Sequence, residues 1–396
     1  MAWGPRHAPS LPVAVLHDNV HEMARASTLV LAALGAILAS SPGRAAEAVL
    51  IPTRDEAFEL IDAEEWGRLE RMTTALRDAR IGFYNGWPPM SRFYGELAFD
   101  TPDDAVWKRY IRLYSDWAGA FPESPTPRVA LAKLYVAYAW QARGSGWANS
   151  VTPEGWRLFN ERLTKAQGIL AEAKALKVQD AEAYLTSIIV ARGLGLPREQ
   201  VDDDANQGLA VNPDYTPIYS AEAVYLLPKW YGKPGEWEKY AMDAADRRGG
   251  DDGDILYMFI VRSAAPDFGT ELFGDHLVSY PRMKRGFLVS RSRFPTNTFD
   301  LNSFCYFASI AGDAETAAGL FREIGTAYDE EAWGDSKTFD YWRNWAQNGY
   351  VRPSPWERNI KTLEFCGLVL VLLLAGLLIL LRKTSNSTPP LLPKAG

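Results

Sequence analysis

VTPEGWRLFNERLTKAQGILAEA (Val151–Ala173) reads as one amphipathic helix. Trp156, Phe159, Leu163, Ala166, Leu170 and Ala173 recur at helical spacing and form one apolar stripe, while Arg157, Glu161 and Lys165 fall on other faces. Thr152 is placed as N-cap, Pro153 as the first helical residue and Glu154 in the first turn, where an acid favours the positive end of the helix dipole. Just before it, RVALAKLYVAYAWQAR (Arg128–Arg143) predicts a second helix, stopped by Gly144-Ser145-Gly146. Further along, Gly312 closes a helix and Asp313 caps the next, whose stripe is Ala317, Phe321, Ile324 and Tyr328. No stretch alternates in the manner of a strand, so the chain is read as all-α.

Helices that come in pairs suggest repeats. Leu176 and Leu209 occupy matching places before Tyr184 and Tyr219, close to the ~34-residue period of tetratricopeptide repeats. LAVNPDY (Leu209–Tyr215) reads as the junction between two such units, and GDAETAAGLFREIG (Gly312–Gly325) as the second helix of one. The expected architecture is a tetratricopeptide-like helical array, an α-solenoid, at 126–350, preceded by an N-terminal helical region at 49–125.

Three stretches carry a more specific resemblance: SPTPRVALAKLYVAYAWQARGSGWA at 124–148, VTPEGWRLFNERL at 151–163 and LLPKWYGKPGEWEKYAMDAADRRGG at 226–250. With 296–346 they resemble an uncharacterised bacterial family, a domain of unknown function with tetratricopeptide-like helices, over roughly residues 55–350. The resemblance implies a fold and transfers no catalytic residue.

Two apolar segments frame this region. Leu29–Ala39 is too short to cross a bilayer and reads as the core of a signal peptide, best started at Met23. Ala46-Glu47-Ala48 offers a cleavage site and Gly43-Arg44-Ala45 a poorer one, so 1–48 is read as an upstream extension plus signal. Phe365–Leu381 is uncharged and would span about 25 Å as a helix, enough for a short membrane crossing. It is read as a transmembrane helix at 363–381, with a linker at 351–362 and a cytoplasmic tail at 382–396. Arg352, Arg358 and Lys361 on one side balance Arg382, Lys383 and Lys394 on the other, so flanking charge does not orient the span. Export by the signal would place the main domain in the periplasm, anchored to the bacterial inner membrane; without it the domain would be cytoplasmic and tail-anchored.

The formal net charge of −7 argues against nucleic acid as a partner, since displacing counterions needs a basic face. Of four histidines, His7, His17 and His21 precede the expected mature start, leaving His276. With Cys305 alone in the domain and Cys366 in the span, neither a disulfide nor a His/Cys zinc site is expected, and no cofactor or metal is called for. Asp251-Asp252-Gly253-Asp254 resembles the start of a calcium loop, but its twelfth position is Arg262, so an exposed turn is expected. Asp202-Asp203-Asp204 is expected at a helix start. Neither a serine elbow nor a phosphate-binding glycine loop occurs.

Tryptophan is the positive signal. All but Trp3 of the 14 lie in 49–364, several at helix ends or loops: Trp87, Trp140, Trp147, Trp230, Trp237, Trp342 and Trp345. Core packing accounts for such residues in general. Two groups nevertheless stand at turns rich in glycine and proline: Trp140, Arg143 and Trp147, and Lys229, Trp230, Tyr231 and Trp237, the latter stiffened by Pro228 and Pro234. They are the candidate binding residues; no catalytic residue is assigned. Three functions fit: a membrane-anchored periplasmic binding or scaffold protein with a protein or peptide partner, an envelope enzyme acting on glycan or peptide through carboxylates, and a tail-anchored cytoplasmic adaptor.

Overall fold

The computed structural model describes residues 51–78, 87–274 and 277–348. Sixteen α-helices and no strand occur among them. The first four are α1 (Arg54–Asp62), α2 (Trp66–Asp78), α3 (Pro89–Glu96) and α4 (Asp104–Ala120). Five hairpins follow: α5 (Pro125–Arg143) with α6 (Pro153–Lys174), α7 (Ala181–Leu194) with α8 (Arg198–Val211), α9 (Thr216–Tyr225) with α10 (Glu236–Arg248), α11 (Gly250–Ala264) with α12 (Tyr280–Arg293), and α13 (Thr298–Ile310) with α14 (Ala314–Ile324). Two short helices, α15 (Glu330–Trp333) and α16 (Ser336–Gln347), pack on the last hairpin. No described helix is long and apolar enough to cross a membrane. The expected signal at 1–48, linker, span at 363–381 and tail lie outside the described residues, as does His276.

The helix ends follow local rules. Thr152 accepts a hydrogen bond from the Gly155 N–H, as its N-cap position requires, and Asp313 does the same for Thr316. The helix expected from Arg128 begins three residues sooner, because Ser124 caps Thr126 and Pro125 stands at the first helical position. The other acidic motifs are placed differently from expectation. Pro197 and Arg198 open α8, which puts Asp202–Asp204 in its second turn, with Asp204 buried against Lys174. Asp251–Asp254 form the first turn of α11 instead of an exposed turn, where Asp252 pairs with Arg293 and Asp254 with Arg282 and Arg285.

In the array each hairpin stacks on the next. The first helices of successive hairpins touch in order, α5 to α7, α7 to α9 and α9 to α11, and are enclosed by neighbours on several sides. Their sequences show it: from Ala181 to Ala191 only Ile189 of α7 is not buried. The second helices bury only one side and are correspondingly amphipathic. Ion pairs join helices two places apart: Lys133 (α5) with Glu182 (α7), Lys174 (α6) with Asp204 (α8) at 2.6 Å, Arg198 (α8) with Glu236 (α10) at 2.6 Å, and Arg262 (α11) with Asp300 (α13) at 2.6 Å. Two glycines let helix backbones meet. A Cβ on Gly253 would lie 2.3 Å from the Ala245 carbonyl oxygen of α10, and one on Gly286 2.3 Å from that of Asp254 on α11.

Candidate functional site

The two aromatic groups meet. At the end of α5, Gly144 adopts φ 75° and its N–H returns to the Trp140 carbonyl, turning the chain away while Trp140 faces the neighbouring hairpins. The α9–α10 loop is fixed by its own backbone: Trp230 N–H donates to the Leu227 carbonyl at 2.8 Å and Tyr231 N–H to that of Tyr225 at 3.2 Å. Only glycine fits at 232, where a Cβ would stand 1.8 Å from the Leu226 oxygen. These constraints hold Trp230 edge-on to Trp140, ring centroids 6.3 Å apart.

Cations interleave with the rings. The Arg143 guanidinium lies 5.2 Å from the Trp140 centroid and 5.3 Å from that of Trp156, while Arg192 and Lys229 lie 5.2 and 5.7 Å from Trp230. Arg143 also donates to the carbonyls of Gly144 and Gly146, finishing its own helix. Lys229 pairs with Asp267, and the Tyr231 hydroxyl donates to the Arg192 carbonyl at 3.0 Å. Burial pulls both Arg143 and Arg192 below the ordinary guanidinium range; Asp267 acts in the opposite sense on Arg192.

Trp147 is 68% exposed and stands outside this ladder, making no ring contact. Trp237 does not belong to the accessible surface that its loop suggests. It is the second residue of α10, and that helical position turns it inward, 0% exposed and stacked on Phe268 at 5.3 Å. Trp342 and Trp345 are likewise buried, packed edge to face.

Arg192, which the sequence reading passed over, connects the ladder to an open cleft. This cleft of about 640 Å³ is walled by residues of α3, α5, α7, α9 and α11, with Arg54 of α1 and Glu331 of α15 also lining it. Leu185, Ile189 and Val224 provide apolar surface, Ser91, Ser220 and Ser263 hydroxyls, and Trp87 a ring 40% exposed. Two ion pairs stand in it: Arg92 pairs with Glu96 at 3.7 Å, and Lys133 with Glu182, which also accepts from the Tyr215 hydroxyl, while Arg54 and Glu331 are exposed to water. Arg192 has no carboxylate within ion-pair distance among the described residues, and its Nε is shielded from solvent without an acceptor.

Chemistry by side chains is thinly equipped here. The fully buried Glu182 carboxylate, raised by burial against the pull of Lys133, is held by its two partners. Cys305 is buried and its thiol is pushed up by burial. No group of three or more His, Cys, Asp or Glu among the described residues is arranged to hold a metal. No family model, curated protein or solved structure matches the chain significantly.

Proposed function

We propose that this chain is a membrane-anchored binding or scaffold protein on the periplasmic face of a bacterial inner membrane. Its array is a tetratricopeptide-like solenoid that holds an extended segment of a protein or peptide partner along the inner helices. The observation that carries this reading is the cleft itself. Successive first helices of the hairpins wall it, alternating aliphatic side chains with small hydroxylated ones, a surface on which a peptide backbone and its side chains can both be accommodated. An envelope enzyme would need a carboxylate withdrawn from water and poised for chemistry, whereas Glu182 and Glu96 are tied to cations and Glu331 is exposed to water, which favours binding. The signal at 29–39 and the span at 363–381 supply the address in this proposal.

Two experiments test it. Immobilised full-length protein in a neutral detergent is exposed to a randomised pool of end-blocked peptides, and the retained peptides are sequenced. Retention of a defined subset, abolished by Ile189→Arg without a change in unfolding midpoint, is the expected result. No retention above background would discard the binding reading. Protease added to spheroplasts is expected to digest the main domain; a protected domain would place it in the cytoplasm.

A further inference from the structure

Resting on the cleft reading, we infer that the bound segment is acidic, and that Arg192 receives the side-chain carboxylate of an Asp or Glu within it. The inference starts from an imbalance. Of the basic groups that wall the cleft, Arg92 and Lys133 have carboxylate partners, and Arg54 is exposed to water. Arg192 alone is half-buried, with its Nε shielded from solvent, and without a carboxylate within ion-pair distance among the described residues. Its charge is met by the Trp230 ring, 5.2 Å away, while the nearby Asp267 is already engaged by Lys229. A ring quadrupole stabilises a guanidinium but accepts none of its in-plane N–H donors, and the Arg192 Nε is shielded from solvent without an acceptor.

Shielding a guanidinium N–H from water without an acceptor is costly, and a ligand that engages the remaining donors offsets that cost. A carboxylate matches the planar fork and forms charge-assisted hydrogen bonds of high directionality. Aliphatic neighbours specify the rest: Leu185 and Ile189 lie on the same helix as Arg192, two turns and one turn back respectively, and Val224 faces them from α9. An acidic residue flanked by aliphatic ones, in extended conformation, fits this pattern. The stack on Trp230, itself steadied by Trp140, keeps the guanidinium in place and lowers the ordering cost of binding.

The peptide selection above tests this with full-length wild-type protein and two variants, Arg192→Gln and Arg192→Glu. Wild type should enrich Asp or Glu at one position beside aliphatic residues. For a retained peptide, exchanging that acid for its amide should weaken binding about tenfold, as loss of a charge-assisted contact does. Arg192→Gln should lose the acidic preference and keep the aliphatic one. Arg192→Glu should select Lys or Arg instead, a gain that a misfolded protein cannot show. Peptides retained without acidic preference, or with the same preference in Arg192→Gln, would overturn the role of Arg192 and leave the cleft reading standing. Absence of any retained peptide would overturn both.

Discussion

Trp140 of the first hairpin and Trp230 of the third-hairpin loop meet at 85°, ring centroids 6.3 Å apart, joining segments that the sequence keeps well separated. The contact makes Trp230 a half-buried structural residue as well as a platform for Arg192 and Lys229.

Alanine at the three loop tryptophans should therefore give a graded series in chemical denaturation. Trp237→Ala, emptying a fully buried site, should cost about 3–5 kcal/mol, and Trp230→Ala about 2 kcal/mol. Trp147→Ala should stay within about 0.5 kcal/mol of wild type, because its ring is in water. A large loss at Trp147 would contradict the placement of that turn.

Gly286→Ala should destabilise by about 1–3 kcal/mol, since its Cβ would collide with the backbone of α11 and separate two packed helices. Gly168→Ala, where nothing lies within 4 Å of the added carbon, is the control and should stabilise slightly through helix propensity. Equal effects at the two positions would argue against the close α11–α12 approach.

Asp300 is 1% exposed and accepts from Arg262 at 2.6 Å and from Ser290 at 2.7 Å. Asp300→Asn leaves the Arg262 charge buried without its counterion, and should cost about 3–5 kcal/mol. Removing both charges in Arg262→Met/Asp300→Leu should cost clearly less than that single change, a coupling that a double-mutant cycle measures.

Glu222 of α9 accepts from the Tyr240 hydroxyl at 2.8 Å, facing Asp202 and Arg198 of α8 and Arg247 of α10. Burial, aided by Asp202 against the hydrogen bond and the arginines, pushes its carboxyl up to about 7. A folded-state value above the unfolded one means stability present below about pH 4.5 and lost as pH rises through 7. Glu222→Gln should abolish that decline and be about 2 kcal/mol more stable than wild type at pH 8. Asp313 has the opposite sign: hydrogen bonds from Lys284, Tyr280 and Thr316 outweigh burial and hold it at about 2, so its contribution disappears only as pH falls from 4 towards 2. Parallel pH profiles for wild type and Glu222→Gln would refute the assignment.

What the sequence made legible was local. The Thr152 and Asp313 caps and the stripe from Trp156 to Ala173 depend on residues within a few turns, so the α5–α6 hairpin could be read directly. The start of α5 was missed because Ser124-Pro125 acts before the first apolar residue, and Asp202–Asp204 because Pro197 had already opened the helix. Trp237 was misplaced for a rotational reason: one residue into α10, a loop-like sequence already points inward. Arg192 carries no local mark at all. Its lack of a carboxylate within ion-pair distance among the described residues is defined only by the assembled neighbours.

The ion pairs that bridge helices two places apart imply a mechanical character for the whole array. Every such clasp connects only adjoining hairpins, and the Trp140–Trp230 contact reaches no further than the next hairpin but one. Under tension between the chain's ends, the joints would act as springs in series, stretching together at first and then yielding one by one. A load applied between the two ends of the array would thereby be buffered against sudden pulls, with the weakest joint opening first as a reversible fuse.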